Sequence, residues 1–135
     1  MRLVLDTNVL IAALVADGLC RDLVKRRVLA HELFVSEGML QELAEKMRVK
    51  FGRDAEAVPL FAAYRDRAQM VEPRTLNAPV CRDLDDDLIL ATAVAARADV
   101  IVTGDDDLLT LGAFEVVRIL SPRQFLEMLD QGMVH

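Results

Sequence analysis

The sequence predicts an α/β protein built in three layers, with a central parallel sheet of four to five strands and helices on both faces. Short apolar runs typical of buried strands alternate with stretches of helical periodicity, which implies parallel pairing through crossover helices. The chain of 135 residues is 53% hydrophobic, enough for a substantial core. Because no repeat, linker or low-complexity stretch interrupts it, we expect one domain over residues 1–135.

The first half of the chain begins with a predicted buried strand at residues 2–5, RLVL. A helix is predicted from Val9 to Ala16, because Gly18 ends the apolar run that starts there. A second helix is predicted over residues 20–31, and residues 33–35, LFV, form a second strand.

The third helix, at residues 36–51, has the clearest periodicity. Its apolar residues follow the i, i+3, i+4, i+7 rule and comprise Met39, Leu40, Leu43, Ala44, Met47 and Phe51. Ser36 is the predicted N-cap. Glu42 lies away from this stripe and has Lys46 four residues later, so a helical wheel predicts a solvent-facing Glu42 in an ordinary surface ion pair.

The second half contains a continuous apolar run, DVIVT, that is typical of a fully buried strand. Earlier in the chain, Pro73 ends a predicted edge strand. Ser121 followed by Pro122 marks the start of a helix. The predicted elements are a helix at 54–68, an edge strand at 70–72, a loop at 74–82, a helix at 85–97, strands at 99–103 and 114–119, and a helix at 121–132.

Composition narrows the class of protein. Charges interrupt every apolar run, so no segment of about 20 apolar residues could span a membrane. Asp6 and Asn8 interrupt the region where a signal peptide would need its apolar core, and a cytoplasmic location is therefore expected. Cys20 and Cys81 are too few for a disulfide framework and are expected to be small core residues.

The net charge of −6 does not exclude an anionic substrate, because the acids are clustered. Asp6, Glu42 and the clusters at 83–87 and 105–107 hold nine of the 22 acids. The remaining 13 acids face 16 Lys and Arg, so the rest of the chain is net positive.

Three acidic groups are predicted to meet at one edge of the sheet. Asp6 follows the first strand, Asp105 follows DVIVT, and the aspartates of 83–87 precede the helix that leads into that strand. In parallel sheets the ligand crevice lies beyond the carboxyl ends of the strands. Clustered carboxylates without a catalytic His or Cys motif indicate a hard divalent cation, Mg²⁺ or Mn²⁺.

Aspartates in such numbers also occur at helix caps, in calcium loops and in phospho-accepting sites. Helix capping accounts for one or two of Asp83, Asp85, Asp86 and Asp87, but not for four. An EF-hand is excluded, because its required glycine position holds Leu88. A receiver-type phospho-accepting domain would need a lysine after a late strand, where this chain has Gly104 and Asp105. A non-catalytic module whose acids bind a basic partner stays open. His31 and His135 lie in no motif.

The segments LVLDTNVLIAAL, VSEGMLQELAEKM, CRDLDDDLILATAVAARADVIVTGDDDLL and VVRILSPRQFLEML resemble PIN-domain ribonucleases, specifically VapC-like toxins of toxin–antitoxin modules. The resemblance implies a PIN-like fold and an endoribonuclease that cleaves RNA phosphodiesters with metal-activated water. It implies Mg²⁺ or Mn²⁺ as cofactor, and an antitoxin protein and a second copy of the chain as partners. More apolar helix surface than one sheet would cover also favours a homodimer.

Carried onto this sequence, the resemblance implies four acids that are both catalytic and metal-binding: Asp6, Glu42, Asp86 and Asp105. Here it overrules the helical wheel for Glu42. Supporting residues are Thr7, Asn8, Asp87, Thr103 and Asp107, with Asp87 also the alternative to Asp86. The RNA backbone is expected at Lys46, Arg48, Lys50 and Arg53, with Arg21, Lys25, Arg26 and Arg27 as the alternative basic group.

Overall fold

The fold, seen in a computed structural model that describes residues 1–132, is a six-stranded sheet between helices. The strands are β1 (Arg2–Leu5), β2 (Glu32–Val35), β3 (Ala68–Met70), β4 (Val100–Val102), β5 (Ala113–Phe114) and β6 (Val117–Leu120). The helices are α1 (Thr7–Val15), α2 (Leu19–Asp22), α3 (Glu37–Phe51), α4 (Pro59–Arg67), α5 (Leu84–Ala96), α6 (Asp106–Leu111) and α7 (Pro122–Asp130). His135 lies outside the described residues.

The sheet order is β3-β2-β1-β4-β6-β5, and every pair is parallel except β5 with β6. The three-layer α/β class predicted from the sequence is therefore confirmed, although the sheet has six strands and not four to five, because the last predicted strand is two strands. β1 lies inside the sheet, with Leu3, Val4 and Leu5 buried, and pairs with β2 and β4. β3 is an edge strand, as predicted, although it begins two residues earlier. No helix in residues 1–132 is long and apolar enough to cross a membrane.

The last predicted strand, 114–119, is wrong as a single element. It is an antiparallel hairpin in which β5 and β6 are joined by a tight turn at Glu115 and Val116. Glu115 has a φ of 53°, a left-handed conformation that turns commonly require. No Gly, Asn or Asp stands at this turn, so the sequence carries no turn signal.

Two predicted helices are divided. Residues 20–31 form α2 and then a π-helical turn, Leu23–Val28, in which Leu23, Val24 and Val28 are fully buried. In an α-helix, residues five positions apart, such as Leu23 and Val28, point in directions about 140° apart. In the wider π-helix they lie closer to the same face, so both can be buried on one side. Residues 54–68 form a 3₁₀ turn at Ala55–Ala57, and Pro59 then begins α4.

Two expectations about apolar surface are corrected. In α3 the buried stripe comprises Met39, Leu43 and Met47, while Ala44 and Phe51 are exposed. Cys20 and Cys81 are half-buried free thiols that border the core.

Candidate metal centre

The site lies where β1 and β4 end side by side. Leu5 pairs with Val102 in parallel register, and the Asp6 amide donates a hydrogen bond of 2.9 Å to the Val102 carbonyl. Asp6 caps α1 and Asp105 caps α6. The parallel sheet therefore brings together two acids that are 99 positions apart in the sequence.

Thr103 joins these two acids. Its hydroxyl donates to Asp6 Oδ2 at 2.5 Å and accepts the Asp105 amide at 3.0 Å. Asp6 is 2% exposed, and burial raises its pKa. The Thr103 hydroxyl and the Asn8 amide, 3.1 Å from Asp6 Oδ1, lower that pKa, and the charge of Asp105 raises it. The Asp6 carboxylate is thus held in one orientation.

Asp86 comes from the first turn of α5 and faces the Asp105 side of the site. Carboxylate oxygens of Asp86, Asp105 and Asp107 all lie within 4.8 Å of one another. Burial, followed by the charges of Asp105, Asp83 and Asp6, raises the pKa of Asp86 to about 7. These carboxylates repel one another in the absence of a cation.

The four aspartates at 83–87 have separate roles. Asp83 caps α5 by accepting the Asp85 amide at 2.9 Å, and Asp85 is exposed. Asp87 accepts the Val80 and Cys81 amides at 3.1 and 2.7 Å and so holds the preceding loop on the helix. The cluster in the sequence therefore contributes one residue, Asp86, to the group of close carboxylates. Asp87, the alternative to Asp86, is engaged elsewhere.

Replacing Asp87 with alanine is expected to destabilise the protein by roughly 1–3 kcal/mol, because two loop amides lose a charged acceptor. Denaturant unfolding measures the loss, and faster amide exchange at Val80 and Cys81 locates it. Asp85→Ala, in the same helical turn but exposed, is the matched control and should change stability little. A loss of metal affinity without any loss of stability would instead make Asp87 a ligand.

Glu42 points into the site, contrary to the helical wheel. Its side chain is 13% exposed, and its Oε1 lies 3.1 Å from the Lys46 ammonium. Burial raises the pKa of Glu42, the contact with Lys46 lowers it, and the charges of Asp85 and Asp6 raise it further. The wheel fails because α1 packs against α3, with Asn8 of α1 beside Lys46, and periodicity within one helix does not reveal such a contact.

The side chains present suit a hard divalent cation. All the acidic donors are carboxylate oxygens, which Mg²⁺ and Mn²⁺ prefer. Two buried oxygens at this edge, Glu42 Oε2 and Thr7 Oγ1, have no hydrogen-bond partner among the described residues. Buried polar atoms normally have partners, so these two are available to a bound ion or its water.

The basic residues expected to contact RNA are not equivalent. Lys46 lies in the acidic site, whereas Arg48 pairs with Glu45 at 2.9 Å. Lys50 and Arg53 are exposed near the end of α3. In the alternative group, Arg21 pairs with Asp17 and Arg27 with Asp130, while Lys25 and Arg26 are exposed.

A cavity of about 570 Å³ adjoins the site beside Asp105 and Asp107. Asn8, Val9 and Pro122 line it, and Arg82 stands at its rim, with its guanidinium 2.8 Å from Asp107 Oδ1. No sequence pattern indicates that Arg82 would line this cavity and pair with Asp107. Arg82 lies in a loop, where periodicity does not predict the direction of a side chain.

The PIN domain family matches residues 2–107, a span that includes every acid of the site. The chain belongs to the PIN-domain family. It is also 31% identical over 120 residues to an uncharacterized protein of Methanocaldococcus jannaschii, in a match that covers 82% of this chain and 75% of that protein. PIN domains are generally metal-dependent nucleases that act on nucleic acid, and the close carboxylates of this chain agree with that chemistry.

Proposed function

We propose that this PIN domain is an endoribonuclease that hydrolyses RNA phosphodiesters with Mg²⁺ or Mn²⁺. The observation that carries the proposal is the group of carboxylates from β1, α5 and the β4–α6 turn at one edge of the sheet. Asp6, Glu42, Asp86 and Asp105 would make up the acidic site for the metal, as the sequence resemblance implies. A bound divalent cation would supply an activated water and neutralise negative charge on the phosphate.

The residues of the chain would supply position more than proton chemistry. The Thr103 hydroxyl would orient the Asp6 carboxylate and hold the backbone amide of Asp105, and the Asn8 amide would hold the other Asp6 oxygen. Thr7 would support the site, as the resemblance implies. Such preorganisation accounts for much of the catalysis in phosphoryl transfer. Asp107 would support the site from its ion pair with Arg82. Lys50, exposed on α3, and Arg53, exposed just after it, would contact the RNA backbone.

Cleavage of a labelled single-stranded RNA by the purified full chain tests the proposal. We expect internal products with Mn²⁺ or Mg²⁺, none in chelator, and recovery when the metal is returned. A DNA of the same sequence distinguishes ribonuclease from general nuclease activity. Cleavage that persists in chelator would contradict the metal dependence. Metal binding without cleavage of any nucleic acid would favour the non-catalytic interaction module.

We propose further that the chain is the toxin of a toxin–antitoxin pair in the cytoplasm, an inference that rests on the VapC-like segments of the sequence. Induced expression in a bacterial host is expected to arrest growth, and co-expression of a short neighbouring reading frame should restore it. An Asp6→Asn chain expressed to the same level is the control. Growth arrest by that variant would separate toxicity from the acidic site.

The proposed partner assembly is a homodimer at micromolar concentration. The structure removes one argument for it, because Leu23, Val24, Val28, Phe61 and Tyr64 are buried within the chain itself. The dimer therefore rests on the resemblance to PIN toxins. Light scattering at several concentrations should give twice the chain mass, and a constant mass of 15.0 kDa would exclude the dimer.

A further inference from the structure

Lys46 is a basic side chain that the fold places among the acids of the site. Its Nζ lies 3.1 Å from Glu42 Oε1 and 3.5 Å from Asn8 Oδ1, and the side chain is 26% exposed. Glu42 and Lys46 are one helical turn apart on α3, whereas Asn8 belongs to α1. The ammonium therefore lies between α1 and α3 and contacts a residue of each helix.

The counter-charges of the site are unevenly distributed. On the side of Glu42 and Asp6, the Lys46 ammonium supplies a positive charge. On the other side, oxygens of Asp86, Asp105 and Asp107 lie within 4.8 Å of one another. Arg82 pairs with Asp107 there, but within residues 1–132 no ion pair joins Asp86 or Asp105 to a basic side chain.

We propose that Lys46 takes the place of a second metal ion beside Glu42, so that this site binds one divalent cation, through Asp6, Asp86 and Asp105. The inference rests on the metal site of the proposed function and adds its stoichiometry. A second cation beside Glu42 would have to displace an ammonium that already neutralises this carboxylate. Like charges at such short range oppose each other, which disfavours both being present.

The arrangement also gives Lys46 a different role from that of the basic residues on the outer surface. Its ammonium is a compact charge with three N–H donors, suited to an oxygen of a phosphate group. An RNA phosphate entering the site would meet the divalent cation on one side and Lys46 on the other. Lys46 would thus contact the phosphate inside the site, whereas Lys50 and Arg53 would contact the RNA backbone outside it.

Counting bound Mn²⁺ tests the inference without any activity measurement. The full chain, freed of metal by chelator, is titrated with Mn²⁺ by calorimetry, and electron paramagnetic resonance reports whether bound ions are coupled. We expect one ion per chain for the wild type and two coupled ions for Lys46→Met, a neutral side chain of similar length. Lys46→Arg keeps the charge, Lys50→Met removes a charge elsewhere on α3, and both should bind one ion.

Two ions in the wild type, or one in a folded Lys46→Met, would overturn the inference and leave the proposed nuclease function standing. Binding of no ion by the wild type would overturn both. Thermal unfolding establishes that each variant is folded. If Lys46→Met does not fold, Lys46→Gln is titrated in its place, with the same two outcomes.

Discussion

Replacing Asp6 with asparagine is expected to lower metal-dependent RNA cleavage by at least about 100-fold, because the proposed ligand at the centre of the acidic site loses its charge. Asp6 is buried at the end of β1, and the charges of Asp105, Asp86 and Glu42 all interact with its carboxylate. Asp6 is therefore the acid whose loss should disturb the whole site most.

The fold should survive this change. The asparagine side chain keeps one oxygen, which can accept the Asn8 amide and maintain the cap of α1. Circular dichroism and thermal unfolding check this point. Asp66→Asn, at an exposed position on α4, removes one charge away from the site and should cleave at the wild-type rate. Full cleavage by a purified, folded Asp6→Asn protein would exclude Asp6 as a ligand.

Replacing Asp86 with asparagine is expected to stabilise the metal-free protein near pH 8. The pKa of Asp86 is raised to about 7, mainly by burial and then by Asp105, from a value near 4 in the unfolded chain. Between these values the native state binds the proton more tightly, so stability falls as the pH rises from about 4 to about 7. The variant should lose this dependence.

The expected gain at pH 8 is on the order of 1–2 kcal/mol, less than the full shift in pKa would give, because water reaches the exposed side of the site and screens the charges. It should shrink as the pH falls below 7 and vanish below about pH 3, where Asp86 is protonated in both the native and the unfolded state. Thermal unfolding at a series of pH values, in chelator, measures both limits. Asp85→Asn, one position earlier and exposed, controls for removal of a charge from the same helical turn.

With metal bound, wild-type protein should become more stable than Asp86→Asn, the reverse of their order in chelator. Wild-type protein gains about 2.7 kcal/mol when the free cation is 100 times its dissociation constant, since the ion binds the native state alone. Asp86→Asn should gain much less, and Asp85→Asn should gain as much as wild type. Equal gains for wild type and Asp86→Asn would show that Asp86 is not a ligand, and Asp107 would be the next residue to change.

Much of the fold follows from local patterns in the sequence. RLVL, LFV and DVIVT are apolar on both faces, which only a strand covered by helices on both sides can accommodate. Ser121 and Pro122 mark the start of α7, where Ser121 accepts the Gln124 amide at 3.1 Å. These signals operate over a few neighbouring residues and need no knowledge of the rest of the chain.

The predicted helices and strands differ from the structure where the backbone departs from the regular α-helical or β-strand repeat. The π-helical turn at Leu23–Val28 buries residues that an α-helix would separate, and Glu115 turns the chain without a turn residue. Val58 and Pro59 do carry a signal for the break before α4, because the residue before a proline disfavours helix.

The sequence by itself determined the layered α/β class, the placement of Asp6 and Asp105 at one edge, and the likeness to PIN domains. Only the tertiary structure decided what each acid does: Asp83 caps a helix, Asp87 holds a loop, and Asp86 meets Asp105. It also placed Lys46 inside the site, beside Glu42, which the resemblance had implied and the helical wheel had not. The physical reason is that a side chain's partners come from other elements, here α1, α3, α5 and β4, whose packing no local periodicity encodes.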